Sequence, residues 1–260
     1  MNVPKEQLEI IRAAFQQTIG FSPADPQIQD LDHRYELDPI DQILERYEFL
    51  FNSMELVQAA KTPADWVRVA ACVRTAIQRV FQQVKEREGN EIQCRAGCNY
   101  CCFNYPVGIT PLEVFALTAR LQSGPPEHLE RVRARIKPLK EAMLKLESKA
   151  RRRFKAQCPL LEDGECSVYE DRPFMCIRHH SFNVEACKAD PKSMTQSGAI
   201  YYGLNGMLHE VEDAIEERGM DAEYYEMLLA LCDALENPKH LERWLHLGNA
   251  FHRNYITYKE

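Results

Sequence analysis

Eight cysteines in the middle of this chain constrain its fold more than any other feature. Cys94, Cys98, Cys101 and Cys102 sit within nine residues, and Cys158, Cys166, Cys176 and Cys187 follow at intervals of roughly ten. Thiolates gathered this densely in a chain with no visible export signal point to a metal ion or an iron–sulfur cluster rather than to disulfides. The N-terminus has no basic stretch leading into an apolar core, so the expected setting is the reducing cytoplasm. Export by another route would instead favour four or five disulfides. The longest apolar run, Met227 to Cys232, is six residues, far short of a membrane span.

Length and charge set the frame for this centre. A chain of 260 residues buries a core without disulfide staples, and we expect a single domain over 1–260. Charged residues make up 27% and hydrophobic ones 45%, which places it among globular proteins. The net charge of −7 argues against nucleic-acid binding by the whole surface.

Helical periodicity dominates outside the cysteine region. N-terminal helices are expected over 1–90, at 4–19, 38–60 and 62–88. In the last of these, Val69, Val73, Ile77, Val80 and Val84 form the core stripe. Thr110-Pro111-Leu112-Glu113 is a capping box with proline at the first helical position, and it starts a helix to about 122. A basic helical stretch is expected from 127 to 157, with Pro138 as a kink or restart. C-terminal helices occupy 191–260, at 195–217, 221–236 and 238–255. The expected fold is therefore mainly α. Bundle-like helical flanks surround an irregular cysteine-rich centre at 91–190.

The first motif, Cys94-Arg-Ala-Gly-Cys98-Asn-Tyr-Cys101-Cys102, suits ligation of an ion held about 2.3 Å from each sulfur, provided the backbone turns sharply. Gly97 and Asn99 tolerate such a turn. Neighbouring Cys101 and Cys102 do not both reach one ion comfortably, so one of them serves a second metal, bridges, or packs. In the second motif, Leu161-Glu-Asp-Gly-Glu-Cys166 reads as a tight turn that brings Cys158 and Cys166 together. Arg172-Pro173 redirects the chain to Cys176. Arg172 and Arg178 could offset the charge of an all-thiolate site, or else form surface ion pairs.

These two segments together resemble the YkgJ-type cysteine-cluster family, CxxCxxCC. The resemblance rests on Cys94, Cys98, Cys101-Cys102, Cys158-Pro159-Leu160-Leu161, Gly164, Cys166, Tyr169, Arg172-Pro173 and Cys176. It spans about 94–180. Here the first gap holds three residues where the family usually has two, and Ile177 separates Cys176 from Arg178. The resemblance implies chelation of zinc or iron. A related branch includes a flagellin lysine N-methylase linked to an iron–sulfur cluster.

Candidate metal ligands are thus Cys94, Cys98, Cys101, Cys102, Cys158, Cys166, Cys176 and Cys187. Eight thiolates suit two zinc sites or one [4Fe–4S] cluster with spare thiols. His179 or His180 would complete a mixed site, although a histidine pair in a polar loop more often faces solvent. Cys187 is a ligand or a small buried hydrophobe. Cys72 and Cys232, among apolar neighbours, read as core. Residues 125–157 carry eleven Lys/Arg against four Asp/Glu. Without aromatic stacking partners this reads as a solvated helix face rather than a nucleic-acid platform. The glycines of Gly198–Gly206 fit no phosphate-cradling pattern, which disfavours a Rossmann enzyme.

The expected function is metal binding, with zinc or iron (an iron–sulfur cluster included) as cofactor. The alternatives are a protein-modifying enzyme related to the lysine N-methylase, and a metallochaperone or a metal or redox sensor. The metal ion is the expected partner, alongside a protein substrate or partner. Nucleic acid and membrane are not expected.

Overall fold

A capping carboxylate starts the first long helix. Asp65 accepts hydrogen bonds from the Lys61 and Thr62 amides at 3.0 and 2.8 Å, and Thr62 Oγ1 receives the Asp65 amide at 3.3 Å. The helix that follows, α1 (Pro63–Arg87), buries Trp66, Val69, Ala70, Val73 and Ile77. Val80 and Val84 are half-buried against the same core. The computed structural model describes residues 54–87, 92–104, 106–151, 153–189 and 195–257. Of the expected N-terminal helices, 4–19 lies outside the described residues. Of the one over 38–60, the described part is helical at 54–59.

The protein is mainly α. After α1 come α2 (Cys101–Asn104), β1 (Gly108–Ile109), α3 (Pro111–Ser123), α4 (Pro126–Leu144) and α5 (Ser148–Arg151). The hairpin β2 (Leu161–Glu162) and β3 (Glu165–Cys166) leads to α6 (Phe174–Arg178) and α7 (Val184–Ala189). The chain continues with α8 (Gly198–Glu216), β4 (Tyr225–Glu226), α9 (Met227–Glu236) and α10 (Lys239–Leu247).

Helix α9 is the hub. It is buried from Met227 to Leu235 and packs on α3, α4 and α10, while α1 packs on α3, α6 and α8. An aromatic cluster fills the space under α10. Trp244 lies with its ring centre 5.0 Å from Trp66 and 5.4 Å from Phe115, and Phe251 stacks on Phe115 at 5.6 Å. Each fully buried large apolar side chain contributes about 1.5–3 kcal/mol. The helical frame therefore has its own reason to fold, independent of any ion.

Several boundaries differ from the sequence expectation. Helix α4 runs on through Pro138 and ends at Leu144, so the chain from 153 to 158 is free to cross toward the cysteines. The expected helix over 221–236 begins only at Met227. Before it, Tyr225 and Glu226 pair antiparallel with Ile109 and Gly108. The expected helix over 238–255 stops at Gly248, whose φ of 74° is left-handed. A Cβ at Gly248 would come within 2.2 Å of the Gly219 carbonyl oxygen, so this backbone approach requires glycine.

Candidate metal centre

Hydrogen bonds lock the two cysteine segments together. The Cys158 amide donates to the Cys102 carbonyl at 2.7 Å, and Asn99 Nδ2 donates to the Gly164 carbonyl at 2.8 Å. The first segment turns at Gly97, where φ is 81° and the Cys98 amide bonds the Arg95 carbonyl at 3.0 Å. The second turns at Asp163-Gly164, both left-handed at φ 50° and 84°. Left-handed conformation at both central residues is the natural link for a two-residue hairpin, and Asp-Gly is among the pairs that adopt it. It sets Leu161 opposite Cys166.

The frame then fixes the stretch between Cys166 and Cys176. Asp171 is bridged by Arg74 of α1 at 3.2 Å and by Arg120 of α3 at 2.9 Å. Gln78 reaches the Glu170 carbonyl at 3.3 Å. Glu113 makes the most enclosed link. One carboxylate oxygen accepts from the Thr110 amide at 2.9 Å, completing the capping box, and the other accepts from the Phe174 amide at 2.7 Å. A single buried carboxylate thus ties the start of α3 to the helix that carries Cys176. The capping box is legible in the sequence, but its reach to Phe174 is not.

The thiols fall into two neighbourhoods. Cys158, Cys166 and Cys176 feel one another's charge and that of Cys101. Cys94 and Cys98 feel each other, Cys187 and also Cys101. Cys101 and Cys102 are joined thiol to thiol. All eight are free cysteines. A small cleft, partly open to solvent, is lined by Cys101, Cys102, Cys158, Cys176, His179 and Glu226, with Phe154 and Leu228 on its apolar wall.

Charge explains what this arrangement lacks. Burial, reinforced by neighbouring thiolates, pushes the Cys94 and Cys158 thiols up to about 12. Burial raises Cys176 well above the ordinary thiol value, and the hydrogen bond Cys101 donates to Cys102, together with burial, raises Cys101 as well. Clustered thiolates disfavour one another in a low-dielectric setting unless a cation stands among them, and a bound metal ion reverses that balance. The donor set therefore fits a thiophilic metal. Among the described residues no three Cys, His, Asp or Glu side chains already surround a common point, so ligation requires side-chain rotation.

The histidines divide. His179 lines the cleft, and burial, with the nearby His180 and Arg178, lowers its pKa to about 4, so it is neutral. His180 is fully buried, contrary to the solvent-facing reading. Its Nδ1 meets the Arg178 carbonyl at 2.6 Å and its Nε2 accepts the Ser197 amide at 2.8 Å. With both nitrogens engaged, His180 staples α6 to the start of α8. Arg172 stacks over Tyr169 at 4.0 Å, and its charge acts on Cys166. Arg178 instead turns to Asn205 and Tyr201. Cys232 is core, as expected, whereas Cys72 is half-buried on α1 and outside the core cluster.

Part of the basic stretch is engaged in ion pairs and carbonyl bonds. Arg131 and Arg135 pair with Glu162 at 3.2 and 2.9 Å, Lys140 with Asp233 and Glu236, and Arg151 bonds the carbonyls of Met143, Leu146 and Asn254. These cations hold the hairpin and α9 against α4 and the C-terminal segment.

Residues 93–194 match the CxxCxxCC family, "Putative zinc- or iron-chelating domain". The CxxCxxCC segment takes in all eight central cysteines, Cys187 included, and so extends past the 94–180 expected from the motifs. No curated protein and no solved structure matches the chain. Among the described residues no helix is long and apolar enough to cross a membrane. From outside the CxxCxxCC segment, Glu226 and Leu228 also line the cleft.

Glu226 gives the metal-free protein a testable pH dependence. It caps α9 by accepting the Leu228 and Leu229 amides at 2.8 and 3.3 Å, and burial raises its pKa from 4.5 to about 7. The native carboxyl keeps its proton to higher pH than the unfolded one. Its contribution is therefore full below about pH 4.5 and lost as pH rises through about 7. Glu226→Gln is expected to flatten this part of the stability profile. Urea midpoints of apoprotein near pH 5 and pH 7 should differ less in the variant than in the native chain. An unchanged difference contradicts the assignment.

Proposed function

We propose that this protein binds zinc or iron through thiolates from both cysteine segments, centred on Cys101, Cys158, Cys166 and Cys176. The convergence of Cys158 with the first motif, fixed by the hydrogen bond its amide donates to the Cys102 carbonyl, carries this reading. Cys102 and His179 line the same cleft and are further candidate donors. When bound, the metal supplies the positive charge that lets these thiols ionise, and its binding releases their protons. A reducing compartment, the cytoplasm in our reading, keeps them available.

The cleft beside the inner thiols supports a second reading, a protein-modifying enzyme with the metal centre at its active site. A closed structural zinc site has no need of an adjoining cleft. A metallochaperone or sensor remains the third reading, and facile metal exchange with retained fold is its mark.

Anaerobic purification with metal analysis and an absorption spectrum tests the proposal. Stoichiometric zinc in colourless protein, or iron with broad visible absorption, is the expected result. Metal-free protein that takes up neither overturns it. Stabilisation by S-adenosylmethionine in a thermal-shift assay would support the enzyme reading.

A further inference from the structure

Cys187 follows Cys176 in sequence, yet its charge acts on Cys94 and Cys98 of the first motif. The loop after α6 runs back to the start of the first motif. There the Gln93 amide bonds the Ser181 carbonyl at 3.0 Å, and Gln93 Oε1 accepts the Val184 amide at 2.8 Å. Val184 begins α7, so this stitch lays α7 alongside Cys94 and Cys98. A second cleft, distinct from the one at the inner thiols, is lined by Cys94 and Cys98 together with Val184 and Lys188 of α7, three residues before and one after Cys187. The Cys94 thiol hydrogen-bonds Cys98, and the charge of Cys187 acts on both.

The two clefts share no lining residue, and they differ in character. The inner one has apolar walls with Glu226 at its edge. The outer one carries Lys85, Arg95 and Lys188. The outer cleft opens Cys94 and Cys98 to solution, while Cys187 is buried on α7. Cys101 faces both neighbourhoods.

We infer that Cys94, Cys98 and Cys187 form a second metal site, separate from the inner centre, which takes a thiophilic divalent cation of the zinc class through three thiolates. This rests on the metal-binding reading above and refines it from one centre to two. Three protein ligands leave a fourth position for solvent, and an open position suits exchange. The inner site is drawn from two segments locked by hydrogen bonds and retains its ion.

Anaerobic zinc titration of the reduced full chain against a chromophoric chelator tests this, with native mass spectrometry counting the bound ions. The wild-type chain is expected to take up two equivalents. The double variant Cys94→Ser/Cys187→Ser should keep one and Cys158→Ser/Cys176→Ser should keep the other, the latter being stripped sooner by chelator. One equivalent in the wild type, lost in both variants, overturns the two-site inference and leaves metal binding standing. Two equivalents lost together in either variant mean one binuclear centre and overturn it as well. No uptake by the wild-type chain sinks the underlying reading too. Far-ultraviolet circular dichroism on each variant separates ligand loss from unfolding, and the wild-type count holds whichever variant fails to fold.

Discussion

Cys176→Ser is expected to empty the inner centre, lowering metal affinity there by more than about 100-fold, since loss of a mere supporting partner already costs about 10–100-fold. Cys176 sits on α6 within reach of the charges of Cys158, Cys101 and Cys166, so its removal takes one sulfur from the middle of the group. A serine hydroxyl is a poor substitute, being neither soft nor readily ionised. Cys98→Ser should lower metal content as well, through the outer group. Cys232→Ser is the control. Its side chain is 2% exposed in the α9 core, and its substitution should leave metal per chain unchanged. Metal analysis of the three variants after gel filtration decides the matter. Equal metal in all three contradicts the site.

The second large effect is expected at Glu113. Glu113→Ala leaves the buried Thr110 and Phe174 amides without their acceptor, at about 1–3 kcal/mol each, so a loss near 3 kcal/mol is expected in urea unfolding of the apoprotein. Burial raises the Glu113 carboxyl to about 7 despite these amides, so Glu113→Gln, which keeps one acceptor oxygen, should lose much less. The Phe174 amide lies two residues before Cys176. Glu113→Ala should therefore also weaken zinc binding, while the glutamine variant recovers part of it. An alanine variant within about 0.5 kcal/mol of wild type would be an ordinary surface result and would remove Glu113 from the account.

How much of this could be read from sequence depends on whether the determining forces are local. The Thr110–Glu113 box, the stop at Ser123-Gly124 and the Asp163-Gly164 turn are set by residues a few positions apart, and each stands where the sequence puts it. The α1 stripe is legible because helical period and core burial coincide. Where a distant partner decides, the reading falls short. Tyr225 and Glu226 look helical until Gly108 and Ile109 pair with them. Gly248 breaks a helix because the Gly219 carbonyl presses on it from another part of the chain. His180 reads as a loop histidine until Ser197 and the Arg178 carbonyl close on its ring.

The centre follows the same rule. Spacing proposes a set of cysteines, whereas how they group depends on distant contacts. Cys187 lies nearer in sequence to Cys176 than to Cys94, and the hydrogen bonds of Gln93 with Ser181 and Val184 turn its segment toward the first motif. The basic stretch from Arg131 to Arg151 reads as a solvated helix face, and Arg131 and Arg135 stay partly exposed while they pair with Glu162; that Lys140 meets Asp233 and Arg151 meets backbone carbonyls is not legible in the sequence.

The most direct measurement is metal uptake by the full chain, reduced and folded, followed by elemental analysis. The account predicts at least one zinc or iron retained per chain through gel filtration. A folded, fully reduced sample that carries no transition metal and takes none up from solution would contradict it.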